Sequence, residues 1–102
     1  MRRAVAAFGL AILAGSASAN DPAQGKQLFT TATPPCALCH TLQDAGAQGA
    51  VGPSLDELKP DAARVVKALK NGIGQMPPYA GRLTDAQMAA IAAYVVQATK
   101  GK

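Results

Sequence analysis

Apolar residues recur at helical spacing in three stretches of the chain, and nowhere do they alternate as in a half-buried strand. The first stretch follows Asp21-Pro22, where Gly25, Leu28 and Phe29 share one face over residues 23–30. Asp21 is placed to cap that helix, and Pro22 suits its first position, where the missing N–H has no intrahelical role. Thr33-Pro34-Pro35 stops it. The second stretch, residues 61–70, carries Ala62, Val65, Val66 and Leu69 on one side and ends at Asn71-Gly72. The third opens with Thr84-Asp85-Ala86-Gln87, a capping box in which the Thr hydroxyl takes one free N–H and Gln87 reaches back to another. Its buried stripe is Met88, Ile91, Ala92 and Val95, and it runs to Thr99. Residues 41–53 form a loop with Gly46, Gly49 and Gly52 and few large side chains. The pattern predicts an all-α domain without repeats or internal linkers.

The N-terminus has a different pattern. Arg2 and Arg3 precede an unbroken apolar run from Ala4 to Ala14, and Ala17-Ser18-Ala19 is a small-x-small site. This is the layout of a secretory signal peptide over residues 1–19, cleaved before Asn20. The run is too short to span a bilayer as a helix, so no membrane anchor is expected after cleavage. Export implies the periplasm or a comparable compartment. Residues 20–102 then make one domain, with eight cations against six carboxylates. That balance, without aromatic-basic interleaving, does not suggest nucleic acid. Only Phe29, Tyr79 and Tyr94 remain as aromatics. A chain this small rarely builds a sufficient core alone and recruits a staple.

The candidate staple is written in Cys36-Ala37-Leu38-Cys39-His40. Cys-x-x-Cys-His is the attachment pattern of a c-type haem. Each thiol adds to one vinyl group, and the adjacent imidazole reaches the iron from the same side. Competing readings fit less well. A structural zinc site wants four Cys/His ligands, and this chain has two cysteines and one histidine. A thioredoxin-type dithiol belongs beside a βαβ pattern, which is absent. A disulfide between residues so close closes a very small loop and gains little chain entropy.

Met76 is the candidate second axial ligand. It lies in Asn71-Gly72-Ile73-Gly74-Gln75-Met76-Pro77-Pro78-Tyr79, where glycines permit close approach and prolines stiffen the strap. Met88 lies on the apolar stripe of the last helix and is expected in the core. The Pro53 carbonyl is the candidate acceptor for the other N–H of His40, since ligating histidines usually donate it to a carbonyl or carboxylate. Leu38, Leu42, Leu55 and Ile73 are candidate haem-packing residues, with generic core the alternative. His/Met ligation favours the reduced iron and fills both axial positions. It suits electron transfer and disfavours enzymatic chemistry at the metal. The alternative is a haem enzyme or gas-binding cytochrome with an open sixth position.

Taken together, these blocks resemble a bacterial class I cytochrome c over essentially the whole mature chain. The resemblance rests on Gly25 and Phe29, Cys36 to His40, Gly52-Pro53-Ser54-Leu55, Met76-Pro77-Pro78-Tyr79, and Tyr94. It implies three to four helices wrapped around one covalently bound haem, with Gly25 packed near Tyr94 where the first and last helices cross. It also supports the role given to Pro53. No tryptophan occurs, which some members carry near the propionates.

A narrower likeness is to the small cytochromes that accept electrons from periplasmic molybdenum sulfite dehydrogenases. It is carried by Leu28-Phe29-Thr30, Cys-Ala-Leu-Cys-His-Thr-Leu-Gln-Asp-Ala-Gly-Ala, Gly-Pro-Ser-Leu-Asp-Glu-Leu-Lys-Pro-Asp and Asn-Gly-Ile-Gly-Gln-Met-Pro-Pro-Tyr. The partners implied are redox proteins: a donor dehydrogenase, and an acceptor cytochrome or oxidase. Arg64, Lys67 and Lys70, three apart and expected opposite Val65 and Leu69, could steer the protein to an acidic partner. A solvated face is the alternative.

Overall fold

In the computed structural model, which describes residues 21–101, the first helix begins where the Asp21 carboxylate accepts from Ala23 N at 3.0 Å. Helix α1 covers Pro22–Thr31 with proline in its first turn. The expected signal segment, residues 1–19, lies outside the described residues. Helix α3, Ala62–Asn71, is capped by Asp61, whose carboxylate accepts from Arg64 N at 2.8 Å. Helix α4, Asp85–Thr99, opens with both halves of the capping box: Gln87 N to Thr84 Oγ1 at 3.0 Å, and Thr84 N to Gln87 Oε1 at 2.9 Å. Each of these ends satisfies a donor that a helix otherwise leaves without a partner.

Two elements depart from the sequence expectation. The stretch 41–53 contains a short antiparallel pair, β1 (Thr41–Leu42) and β2 (Ala47–Gln48), with Thr41 opposite Gln48. A 3₁₀ turn over Gln43–Ala45 joins the two strands. Pieces this short carry no readable period. A four-residue helix α2, Leu55–Leu58, follows Ser54, whose hydroxyl accepts from Glu57 N at a long 3.4 Å.

Helices α1 and α4 cross closely, and Gly25 is the reason they can. A methyl built there would collide with the Ala90 carbonyl oxygen and lie 2.7 Å from Tyr94 Cβ. One turn on, Phe29 meets Tyr94 edge-on, with ring centroids 5.9 Å apart at 70°, a favoured aromatic geometry. The Tyr94 hydroxyl donates to Asp44 at 2.5 Å, tying the crossing to the 3₁₀ turn, and Lys26 stands 3.5 Å from the same carboxylate oxygen. Phe29, Leu42, Leu69, Met88, Ile91 and Val95 form the most deeply buried centre. All four residues expected on the α4 stripe are buried. On α3, Leu69 is buried and Val65 and Val66 half-buried, whereas Ala62, at the first turn, is exposed. No described helix is long and apolar enough to cross a membrane.

Candidate functional site: a crevice lined by Cys36, Cys39, His40 and Met76

The two cysteines and the histidine sit on one tight turn. Residues Cys36–Leu38 form a 3₁₀ turn, and the N–H groups of Cys39 and His40 both donate to the Cys36 carbonyl, at 3.2 and 3.0 Å. The turn is braced from behind, because Gly52 N donates to the Cys39 carbonyl at 2.7 Å. Both thiols are free. Burial pushes the Cys36 thiol up to about 11, a backbone hydrogen bond lowers it in part, and Cys39 adds to the rise. Cys36 is therefore a neutral thiol at physiological pH.

His40 is oriented by its neighbours. Its Nδ1 lies 2.8 Å from the Pro53 carbonyl oxygen. A carbonyl only accepts, so Nδ1 carries a proton, and in the neutral ring Nε2 is the nitrogen with a lone pair for a metal. Gly52 leaves room for the ring: a methyl there would lie 2.7 Å from His40 Cε1.

Cys36, Cys39, His40 and Met76 line one crevice of about 710 Å³. Met76 enters from the strap after α3, where Ile73 and Met76 exchange backbone hydrogen bonds of 3.0 and 2.9 Å. The strap is fixed further on. Tyr79 N donates to the Leu69 carbonyl and its hydroxyl to the Pro34 carbonyl, both at 2.6 Å, and Arg82 Nη1 donates to the Thr33 carbonyl at 3.1 Å. Burial first, then the nearby Cys36 and Cys39, push the Tyr79 phenol up to about 12 against the opposing effect of Arg82.

Most other lining residues are apolar, among them Phe29, Leu55, Leu69, Ile91 and Val95, and no described carboxylate lines the crevice. Pro53 and Leu55 line it as expected from the sequence, and so does Ile73, although Ile73 is 69% exposed at the mouth. Leu38 and Leu42 do not. Leu38 is 63% exposed, and Leu42 is sealed in the core behind the crevice. A three-residue turn and a two-residue strand are too short for any period to tell which leucine faces inward.

The cations of α3 also divide differently from the expectation. Arg64 and Lys67 line the crevice together with Val65 and Leu69, while Lys70 stands 3.8 Å from Asp85. Arg64 and Lys67 are exposed residues, and side chains of this kind can lay an apolar stem on a wall while the charged head stays in water. Tyr79 is the site residue that sequence reasoning left without a role. Its signal was local, a buried aromatic directly after the Met-Pro-Pro strap.

The donor set fits a covalently tethered haem. It offers two free thiols on one turn, an imidazole whose other nitrogen is committed, and a thioether. The crevice volume falls within the usual range for cofactor pockets, roughly 300–1,000 Å³.

Comparison with known proteins points the same way. Residues 20–95 match the family described as "Cytochrome C oxidase, cbb3-type, subunit III". The chain is 37% identical to cytochrome c6 of Synechocystis sp., covering 91% of this chain and 79% of that protein. Among solved structures it is similar to the c-type cytochrome SorU from Sinorhizobium meliloti, with 53% identity and a TM-score of 0.74 over 76% of this chain and 90% of that one. It is also similar to cytochrome c6 from the diatom Phaeodactylum tricornutum, at 27% identity and a TM-score of 0.61, covering 78% of this chain and 95% of that one.

Proposed function

The chain belongs to the monohaem class I c-type cytochromes, which bind haem c covalently, and on that premise we propose that it is a periplasmic electron carrier rather than an enzyme. In this reading Cys36 and Cys39 would hold the haem through thioethers, and His40 and Met76 would ligate its iron. When bound, the haem supplies a one-electron Fe(III)/Fe(II) couple.

The residues divide the remaining work. The Pro53 carbonyl fixes the His40 ring and its tautomer. Phe29, Leu69, Ile91 and Val95 keep water from the crevice. Met76, which lines the same crevice, would take the iron position that a gas or peroxide needs. The observation that carries this reading is the convergence of both thiols, an oriented imidazole and the Met76 thioether on one apolar crevice.

The electron donor proposed is a periplasmic sulfite dehydrogenase, with onward transfer towards a terminal oxidase. Support comes from the sequence blocks around the two cysteines, Gly52-Pro53 and Met76, and from 53% identity to the c-type cytochrome SorU. Arg64 and Lys67 at the crevice mouth, with no described carboxylate lining it, suit an acidic partner surface.

The test is rapid mixing of the oxidised, haem-loaded protein with a sulfite dehydrogenase and sulfite, followed at the visible bands. Fast reduction that depends on the dehydrogenase is expected. Reduction no faster than in its absence would contradict the donor assignment.

A further inference from the structure

We propose that Tyr79, seconded by Arg82, is a positioning residue that latches the Met76 strap shut, so that its hydroxyl bond to Pro34 governs how often Met76 leaves the iron. This rests on the reading of Met76 as axial ligand.

The turn that carries Met76 is closed by its own two Ile73–Met76 backbone bonds, and most of it stands at the surface. Ile73 is 69% exposed. Gly74 and Gln75 are exposed as well, and Met76 is only half-buried. A thioether is a weak ligand, so the strap needs an anchor elsewhere.

That anchor lies three residues on. Tyr79 is only 3% exposed, and Pro77 and Pro78 join it stiffly to Met76. Its backbone N–H donates to the Leu69 carbonyl at 2.6 Å, tying the strap to the last turn of α3. Its hydroxyl donates to the Pro34 carbonyl at 2.6 Å, two residues before Cys36. Arg82 Nη1 reaches the Thr33 carbonyl at 3.1 Å, so two side chains of the strap grip the same short segment. Arg82 N and Leu83 N both donate to the Tyr79 carbonyl, at 2.8 and 2.9 Å, which makes the latch one folded unit. The strap that presents Met76 is thus bonded directly to the chain leading into Cys36 and His40. With the latch released, the stiff prolines carry any outward swing to Met76.

The test compares haem-loaded wild type, Tyr79→Phe, Arg82→Gln and Tyr94→Phe. Tyr94→Phe also removes a buried tyrosine hydroxyl bond, but at the α1–α4 crossing and outside the crevice. The readouts are the red-edge sulfur-to-iron band of the oxidised protein and the rate of carbon monoxide uptake by the reduced protein. Wild type should show the band and slow uptake. Losing a hydrogen bond of ordinary strength predicts uptake about fivefold faster in Tyr79→Phe and at least about twofold faster in Arg82→Gln. Tyr94→Phe should lower the thermal midpoint and leave the uptake rate unchanged.

If wild type has the band but Tyr79→Phe takes up carbon monoxide at the wild-type rate, the latch is wrong and the ligand reading stands. An equal acceleration in Tyr94→Phe would also overturn the latch, since general loosening would then explain it. Should Tyr79→Phe fail to load haem, an unchanged rate in Arg82→Gln sinks the proposal. A wild type with no band and immediate uptake would overturn the ligand reading, and the latch with it.

Discussion

His40 donates its Nδ1 proton to the Pro53 carbonyl oxygen at 2.8 Å, across thirteen residues of chain. This bond does two things. It leaves Nε2 as the only nitrogen able to bind a metal, and it fixes the plane in which that nitrogen points. Gly52, beside Pro53, completes the arrangement by keeping the space against the ring free.

Gly52→Ala therefore forces a methyl against His40 Cε1. The ring must tilt or the loop must shift, and overpacking of this kind costs about 1–3 kcal/mol. Denaturant unfolding of the haem-loaded protein should show that loss. A wild-type midpoint would mean that the loop yields freely and does not set the ring.

Gly25→Ala should be destabilising by a similar route. Helix propensity favours alanine, but the added methyl meets the Ala90 carbonyl and Tyr94 Cβ at the crossing. The expected net loss is about 1–3 kcal/mol, read from urea midpoints. A variant as stable as wild type would show that α1 and α4 can separate without consequence.

Tyr94 makes stability sensitive to alkali. Burial first, then its hydrogen bond to Asp44 and the charges of Asp44 and Asp56, raise its phenol well above the ordinary tyrosine range. The neutral phenol is the form the fold stabilises. Its contribution is thus complete below the unfolded value of about 10 and is lost as pH rises through the higher folded value. As pH rises above about 10, wild type should therefore lose stability more steeply than Tyr94→Phe. Parallel curves for the two proteins would remove Tyr94 from the account.

If Arg64 and Lys67 steer the protein to an acidic donor, replacing both by Gln should slow reduction severalfold at low salt and little at high salt. Lys70→Gln should matter less, because Lys70 already stands 3.8 Å from Asp85. A rate that ignores both salt and Arg64/Lys67 would place docking elsewhere.

What was legible in the sequence was mainly local. Asp21 and Thr84 announce their helices because a cap and its partner lie two or three residues apart, whereas Asp61, counted from the sequence as the first residue of its helix, caps it instead. The heptad-scale spacing of Met88, Ile91 and Val95 gives the buried side of α4 for the same reason. Gly25 against Tyr94 was legible only through resemblance, since nothing in either residue's neighbourhood names the other. The bond of Tyr79 to Pro34 spans forty-five residues and leaves no periodic trace. Arg64 and Lys67 were placed away from Val65 and Leu69 by spacing alone, yet all four line the crevice. Leu38 ends a three-residue 3₁₀ turn and Leu42 a two-residue strand, elements too short for their inward or outward direction to follow from spacing.

The central claim is that His40 and Met76 together close the iron. The most direct measurement is the absorption spectrum of the oxidised, haem-loaded protein beside Met76→Ala, followed by reduction and exposure to carbon monoxide. The account predicts a weak red-edge sulfur-to-iron band in wild type that is absent from Met76→Ala, with ready carbon monoxide binding only in the variant. A high-spin wild-type spectrum with ready carbon monoxide binding would contradict it and point to chemistry at an open iron.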